Sequence, residues 1–387
     1  MVVPQVVPVS SSRSPGLYLH IPFCSAICPY CDFAVTTGDA ERRARFVDAL
    51  VAEVGLEHRD WSAFDTVYLG GGTPSLLSAE ELARVLEAIR ESVSLAEAVH
   101  ISLEANPEDV DGVRARQWLE LGVDRLSLGV QSFDAEELVF LGRKHSPDDA
   151  RRAVETGLAT GFTVSMDLIY GLPGQAADGW QANLESAVAL SPQHMSCYQL
   201  TVDSGTPFAV HSRRGDWALP GSDELEELFF RTHEFLGASG YPAYEVSNFA
   251  RAEEHQCRHN RKYWQHVPYL GLGPSAHSFD GRRRWWNHRS ERPWRLEVEA
   301  GRTPEADREE LTFVDLALEK IMLGLRTPRG VDLRSLAGIE TKAFLDRNAR
   351  VLSRSVEEGL LEIRGKTLVP SLAGMARADG IARSIEI

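Results

Sequence analysis

The stretch YLHIPFCSAICPYCDF, Tyr18 to Phe33, holds three cysteines within eight residues: Cys24, Cys28 and Cys31. Cys197 and Cys257 stand alone further along the chain. An odd total with one tight cluster argues against a disulfide framework and for metal binding or redox work in a reducing compartment. Thiolates are soft ligands suited to zinc and to iron–sulfur centres. A structural zinc site calls for four protein donors, usually as two CxxC-like pairs. The spacing here is CxxxCxxC, and the local supply stops at three. His20 is the nearest candidate for a fourth donor. It sits inside an apolar run of strand length, where packing or a hydrogen bond is the competing role. A 4Fe–4S cluster held by three cysteines leaves one iron open to a small molecule.

Such a loop needs a frame. From Gly16 to Val202, strand-length apolar runs alternate with amphipathic helical stretches. The runs are LYLHIPF, TVYLGG, VHISLEAN, RLSLGVQS, TVSMDLIYG and MSCYQLTV, and a helical pattern follows each of the first five. SAEELARVLEAIRESV opens with a capping box at Ser78 and Glu81. Strands separated by helices predict an α/β fold with a parallel sheet and right-handed crossovers, here a partial (β/α)6 TIM-like barrel. In such folds chemistry collects at the carboxyl ends of the strands. The cysteine loop follows the first strand, and YLGGGTPS, with Gly71, Gly72 and Thr73, follows the second. Successive glycines let backbone approach a ligand and offer it N–H and C=O groups, although a tight strand–helix turn would use them too. Glu104, Gln131 and Asp167 fall near the ends of the third, fourth and fifth runs, and Arg143 follows Gln131 by twelve residues. Each alone could cap a helix or satisfy backbone.

Composition bounds the partners. The chain has 387 residues, 43% hydrophobic, with 56 acidic against 41 basic side chains and a net charge of −15. That charge disfavours nucleic acid and anionic lipid, so no nucleic acid and at most peripheral membrane association are expected. The opening MVVPQVVPVSSSRSPG has neither a basic start nor a continuous apolar run, and no 18-residue apolar stretch follows. A cytoplasmic protein with a flexible arm over residues 1–15 is expected.

CSAICPYC closely resembles the cluster motif of radical S-adenosylmethionine (SAM) enzymes, and the flanking YLHIPF resembles the family containing oxygen-independent coproporphyrinogen dehydrogenases (HemN) and HemW-type heme chaperones. The resemblance runs from Leu17 into the C-terminal module. It implies that Cys24, Cys28 and Cys31 hold a 4Fe–4S cluster, and that SAM chelates the open iron and is split by an electron to methionine and a 5′-deoxyadenosyl radical. By the same resemblance Gly71, Gly72 and Thr73 meet the amino group of SAM, and Arg143 suits its carboxylate. Glu104, Gln131 and Asp167 match further SAM contacts, as do Tyr18, Tyr30, Gln199 and His277. A flavodoxin- or ferredoxin-type protein is the implied electron donor.

Two features bear on the branch. HemN-type dehydrogenases carry a further cysteine two residues after the motif, where this chain has Phe33. HQCRHNRKYW, with His259, Asn260, Tyr263 and Trp264, resembles the HNxxYW signature of the heme chaperones. An imidazole beside two large aromatics suits heme, with His259 on the iron and Tyr263 and Trp264 against the macrocycle. Cys257 is another possible ligand; a packed loop closing the barrel is the alternative. The basic run GRRRWWNHR could meet propionates or form a solvated hairpin. The expected function is heme binding and transfer to an acceptor hemoprotein. Coproporphyrinogen III dehydrogenation is the alternative, and a zinc-bound scaffold the third reading. The expected domains are a radical SAM core over 16–245, a connecting segment over 246–300 with the HNRKYW motif, and a HemN-like C-terminal domain over 301–387. The last reads as mainly helical and winged-helix-like, with a strand pair around RGK.

Overall fold

The computed structural model describes residues 14–57 and 59–387. The arm expected over residues 1–15 lies outside the described residues up to residue 13. Six parallel strands form the centre: β1 (Gly16–Ile21), β2 (Phe64–Gly71), β3 (Leu95–Ala105), β4 (Arg125–Gln131), β5 (Thr163–Tyr170) and β6 (His194–Gln199). They pair in sequence order. The crossovers carry α1 (Ala40–Leu56), α2 (Ala79–Ser92), α3 (Gly112–Glu120), α4 (Ala135–Phe140), α5 (Pro147–Thr160) and α6 (Ala177–Ala189). This is the partial barrel that the alternation predicts.

Local chemistry sets the helix starts. The Ser78 hydroxyl accepts from the Glu81 N–H at 3.1 Å and the Glu81 carboxylate accepts from the Ser78 N–H at 2.8 Å, so both arms of the capping box form. α2 then buries Leu82, Val85, Leu86 and Ile89, one stripe at helical spacing. The strands use period two. Leu126, Leu128 and Val130 of β4 and Val164, Met166 and Leu168 of β5 are all buried in the main core. Each such side chain contributes roughly 1.5–3 kcal/mol. The intervening residues face a polar lumen.

The barrel does not close on itself. β1 pairs on its other side with β8 (Tyr269–Leu272) in parallel, and β6 pairs with β7 (Asn248–Ala250) antiparallel. β9 (His277–Phe279), β10 (Arg283–Asn287) and β11 (Glu305–Glu310) extend the sheet to eleven strands. The segment expected as a connection over 246–300 therefore contributes β7, β8, β9 and β10 to this sheet. β11 belongs to it too, so the boundary expected at residue 301 cuts off one of its strands. A second core, with Ala317, Ile321, Leu333, Phe344, Leu352, Leu368 and Ile381, defines the C-terminal module. There the helices Phe313–Gly324, Thr341–Arg347 and Ala349–Glu357 accompany a small sheet of β12 (Val331–Asp332), β13 (Leu361–Arg364) and β14 (Thr367–Pro370). β13 and β14 pair antiparallel around Gly365, the turn expected at RGK. Among the described residues no helix is long and apolar enough to cross a membrane.

Candidate functional site

The cysteine loop is anchored at both ends. Cys24 N–H donates to the Thr36 carbonyl at 2.9 Å and Thr36 N–H to the Pro22 carbonyl at 2.7 Å. Phe23 is buried edge-on against Phe46. His20 Nε2 meets the Ala34 carbonyl at 3.0 Å, and because a carbonyl only accepts, that nitrogen carries the proton. Nδ1 is then the acceptor for the Tyr18 hydroxyl at 3.0 Å. Both nitrogens of His20 are committed to holding the loop, so it is not a fourth donor beside the thiols.

Each thiol has a hydrogen-bonding neighbour. The Thr73 side chain serves Cys24, Tyr30 serves Cys28, and the Phe33 backbone serves Cys31. Arg143 Nη1 lies 3.4 Å from Cys28 Sγ. Donors aimed at the sulfurs are the shell that tunes an iron–sulfur cluster. Burial pushes the free Cys24 thiol up to about 11, a cost that a bound cationic metal offsets. Among the described residues no three His, Cys, Asp or Glu side chains converge tightly enough for a single ion. Three soft donors around one mouth fit a multi-iron cluster.

The glycine turn is bound more tightly than its sequence suggests. A Cβ on Gly71, at φ 107°, would fall 2.5 Å from His20 Nδ1, and one on Gly72 would fall 2.7 Å from the Phe23 carbonyl oxygen. Glycine is required because two loops touch there. Gly71 N–H donates to Glu104 at 3.1 Å, Gly72 N–H to the Ile21 carbonyl at 2.8 Å and Thr73 N–H to the Phe23 carbonyl at 2.7 Å. The expectation that this turn offers N–H groups is corrected. With its N–H groups committed inside the protein, the turn retains carbonyl oxygens and the Thr73 hydroxyl as groups that could accept from an amino group.

Above and between these loops lies a cavity of about 590 Å³, lined by Cys24, Cys28 and Cys31, and by Tyr30, Gly71, Gly72, Thr73, Glu104, Gln131, Arg143, Asp167 and Gln199. Glu104 accepts from the Tyr68 hydroxyl at 2.8 Å, yet its burial still pushes its pKa up to about 7. Asp167 accepts from Ser127 at 3.2 Å and is also raised by burial. Gln131 ends β4 at φ 66°, a left-handed conformation that costs a non-glycine residue about 1–2 kcal/mol and that turns the chain into the rim. Arg143 donates to Asn106 Oδ1 at 2.6 Å and to the Gly129 carbonyl at 2.9 Å. Asn106 in turn donates to the Thr73 hydroxyl at 3.4 Å.

Five expected residues are not brought to the cavity wall: Tyr18, His259, Tyr263, Trp264 and His277. The Tyr18 hydroxyl acts through His20. His277 is exposed on β9 with its ring stacked 5.6 Å from Trp286, because that strand lies beyond β8, outside the barrel. His259 is buried, with Nδ1 2.9 Å from the Thr66 hydroxyl and Nε2 2.8 Å from the Tyr263 hydroxyl. It sits against Gly16 and Thr66, at the amino ends of β1 and β2, opposite the cysteines. From Thr66 to Gly71 the strand runs about 17 Å. Burial, with Lys262 nearby, pulls the imidazole down to about 3. An iron-ligand role for His259 is corrected on these grounds: both nitrogens are taken and the ring is walled in. Tyr263 packs on His259 and Tyr269, so this motif closes the barrel floor. Its Cys257 and Asn260 reach the lumen instead. The basic run is likewise paired, Arg282 with Glu310, Arg283 with Asp280 and Arg284 with Glu309 and Glu319. These three arginines of the hairpin strand are matched, while Arg289 at the end of the run donates to the Asp32 carbonyl at 2.8 Å beside the cysteine loop.

Sequence reasoning missed a second group on the wall: Arg125 and Ser127 of β4, Ser165 of β5, His194 and Ser196 of β6. Their signal is strand alternation. Arg125, Ser127, Gly129 and Gln131 are every second residue of β4, and all four line the cavity.

The Radical SAM superfamily profile matches residues 18–187. The chain is 38% identical to "Heme chaperone HemW" of Mycobacterium tuberculosis over 96% of this chain and 94% of that protein. It is 37% identical to "Heme chaperone HemW" of Escherichia coli over 68% and 69% of the two chains. With the mouse "Radical S-adenosyl methionine domain-containing protein 1, mitochondrial" it shares 34% identity over 97% and 88%. Among solved structures, "Coproporphyrinogen III oxidase (HemN) from Escherichia coli is a Radical SAM enzyme" is similar at TM-score 0.85, covering 96% and 90% at 22% identity, which is a likeness of fold. With a three-thiol loop at the mouth of a partial barrel and such identity across nearly the full length of a relative, this chain belongs to the HemW family of radical SAM proteins.

Proposed function

We propose that this protein is a heme chaperone that binds heme and passes it to an acceptor hemoprotein, with a SAM-coordinated 4Fe–4S cluster at the barrel mouth. The radical SAM family implies the cluster and SAM, and the donor set fits both. Cys24, Cys28 and Cys31 would hold three corners of the cluster. Arg143, braced by Asn106, would take the methionine carboxylate, and the carbonyls of the Gly71–Thr73 turn the amino group. Glu104, Gln131, Asp167 and Gln199 would meet the nucleoside. When reduced by a flavodoxin- or ferredoxin-type donor, the bound cluster supplies the electron for reductive cleavage of SAM. The chain's own residues do the rest: the anchored loop orients the thiols, buried Glu104 holds a proton up to about neutral pH, and the lumen walls exclude water.

The observation that carries the heme reading is the identity, over nearly the whole chain, with proteins named heme chaperones. Phe33 adds support. Where the dehydrogenases carry a further cysteine, it stands 67% exposed beside Ile27 at 49%. An exposed apolar rim suits the face of a macrocycle, which the enclosed His259 does not. Coproporphyrinogen dehydrogenation is the second reading, favoured by the intact cluster loop and SAM-side residues.

Anaerobically reconstituted protein is to be mixed with heme, then with the apo form of a respiratory cytochrome. The expected result is a Soret band on the chaperone that moves to the acceptor. In parallel, coproporphyrinogen III with SAM and reductant is expected to give no vinyl-group formation. Substantial protoporphyrinogen together with absent heme binding would replace this reading by the second.

A further inference from the structure

β4 displays the whole depth of the lumen on one face. Gln131 and Arg143 stand at the mouth, and Arg125, six residues before Gln131, marks the closed end. Six residues of strand put the two ends about 20 Å apart. Arg125 is 7% exposed. Its Nη1 donates to the His255 carbonyl at 2.8 Å, while its Nη2 is buried without a hydrogen-bond partner. No carboxylate among the described residues forms an ion pair with it. A cleft of about 60 Å³ beneath it is bordered by Asp124 and Glu254, neither within ion-pair distance. The charge of Arg125 is felt on the lumen side, by Asp167, by His194 and by Tyr244, which is hydrogen-bonded to His194. Around it stand Ser127, Ser165, Ser196 and Asn260, small polar groups that leave room. A buried guanidinium that has Asp167 only at long range and one nitrogen without a hydrogen-bond partner is costly, and an anion entering the closed end would offset that cost.

We propose that the closed end of the lumen is a carboxylate-binding subsite, in which Arg125 receives the carboxylate of a small-molecule ligand other than the one held by Arg143 at the mouth. The cavity has a guanidinium at each end, with hydroxyls and the buried carboxyls of Glu104 and Asp167 between them, so its two ends are the places for carboxylates. The group could belong to a heme propionate or to a free carboxylic acid, and competition separates the two.

The probe is 3-phenylpropionate, with 3-phenylpropanol as its neutral isostere, titrated calorimetrically into the reconstituted full-length protein saturated with SAM. The acid is expected to bind saturably and at least tenfold tighter than the alcohol. Arg125→Gln is expected to weaken the acid at least tenfold and to leave the SAM-induced change in the cluster spectrum unaltered. Arg125→Lys, which keeps the charge and a donor toward His255, is expected to stay within tenfold of wild type. Displacement of the acid by heme assigns the subsite to a propionate; coexistence with heme assigns it to a free acid. Equal binding of acid and alcohol to wild type would overturn the proposal, and that measurement stands even if Arg125→Gln fails to fold. Undiminished acid binding by folded Arg125→Gln would also overturn it. Heme transfer is scored separately, so failure here leaves the chaperone reading intact.

Discussion

Replacing His259 with leucine tests most directly what the HNRKYW segment does. The imidazole is 2% exposed and bonds Thr66 through Nδ1 and Tyr263 through Nε2. Leucine fills most of the ring volume but leaves two buried hydroxyls without that partner, at about 1–3 kcal/mol each, so a loss of roughly 2–6 kcal/mol is expected at pH 7. The folded pKa of about 3 makes a second, sharper demand. Unfolded histidine titrates near 6.5, so the unfolded chain takes up this proton first as pH falls. The stability contributed by the neutral imidazole is complete above pH 6.5 and drains away toward pH 3, at about 1.4 kcal/mol per pH unit. Between pH 7 and pH 5 wild type should lose about 2 kcal/mol from this one group. His259→Leu cannot lose it, so its deficit should shrink by that amount at pH 5. The assay is urea unfolding of both proteins at the two pH values, in which the other titrating groups cancel. Heme titration of the folded variant should give an unaltered Soret band. A deficit identical at both pH values, or a lost Soret band with stability at pH 7 within about 0.5 kcal/mol of wild type, would refute the structural reading of this histidine.

Single Cys24→Ser, Cys28→Ser or Cys31→Ser variants should each lose the broad visible absorption of the reconstituted cluster and its response to SAM, read by absorbance and paramagnetic resonance. Arg143→Met removes a guanidinium from Asn106, Gly129 and the ligand, so SAM affinity should fall about 10- to 100-fold, the equivalent of about 1.5–3 kcal/mol for a charge-assisted bond, measured by titrating the cluster signal. Glu104 has a folded pKa of about 7 against an ordinary 4.5, so as pH rises the unfolded chain releases this proton first and stability drains away between about pH 4.5 and 7. Glu104→Gln should therefore be more stable than wild type at pH 8 by up to about 3 kcal/mol in chemical denaturation, converge with it below pH 4.5, and bind SAM more weakly. Ser78→Ala should cost about 1 kcal/mol by chemical denaturation with no change at the site, since it removes only one arm of the α2 cap.

What could be read directly was local. The spacing of Cys24, Cys28 and Cys31 names its own chemistry, because three soft donors within eight residues act together wherever the chain goes. The βα order followed from the alternation of periods two and 3.6, and the α2 start from a capping box that closes within four residues. Glu104, Gln131 and Asp167 were legible because strand ends in such a fold share one rim. Arg125, Ser165 and His194 were legible in principle, as alternate strand positions, but a polar residue at a strand start marks nothing until the strand curls around a cavity.

Tertiary structure decided the rest, and the reason is that neighbours across a sheet are set by closure and register, not by distance along the chain. The glycine turn spends its N–H groups on Ile21, Phe23 and Glu104 because β1, β2 and β3 come level there. β8 lies parallel to β1, which carries His277 out beyond the barrel. The helix Arg258–Trp264 is tucked under the strands, which turns Cys257 and Asn260 into the lumen and seals His259 behind Thr66 and Tyr263. The sequence by itself determined which atoms could grip an iron–sulfur cluster, while only the folded barrel determined which polar side chains share its interior and which imidazole is shut away from it.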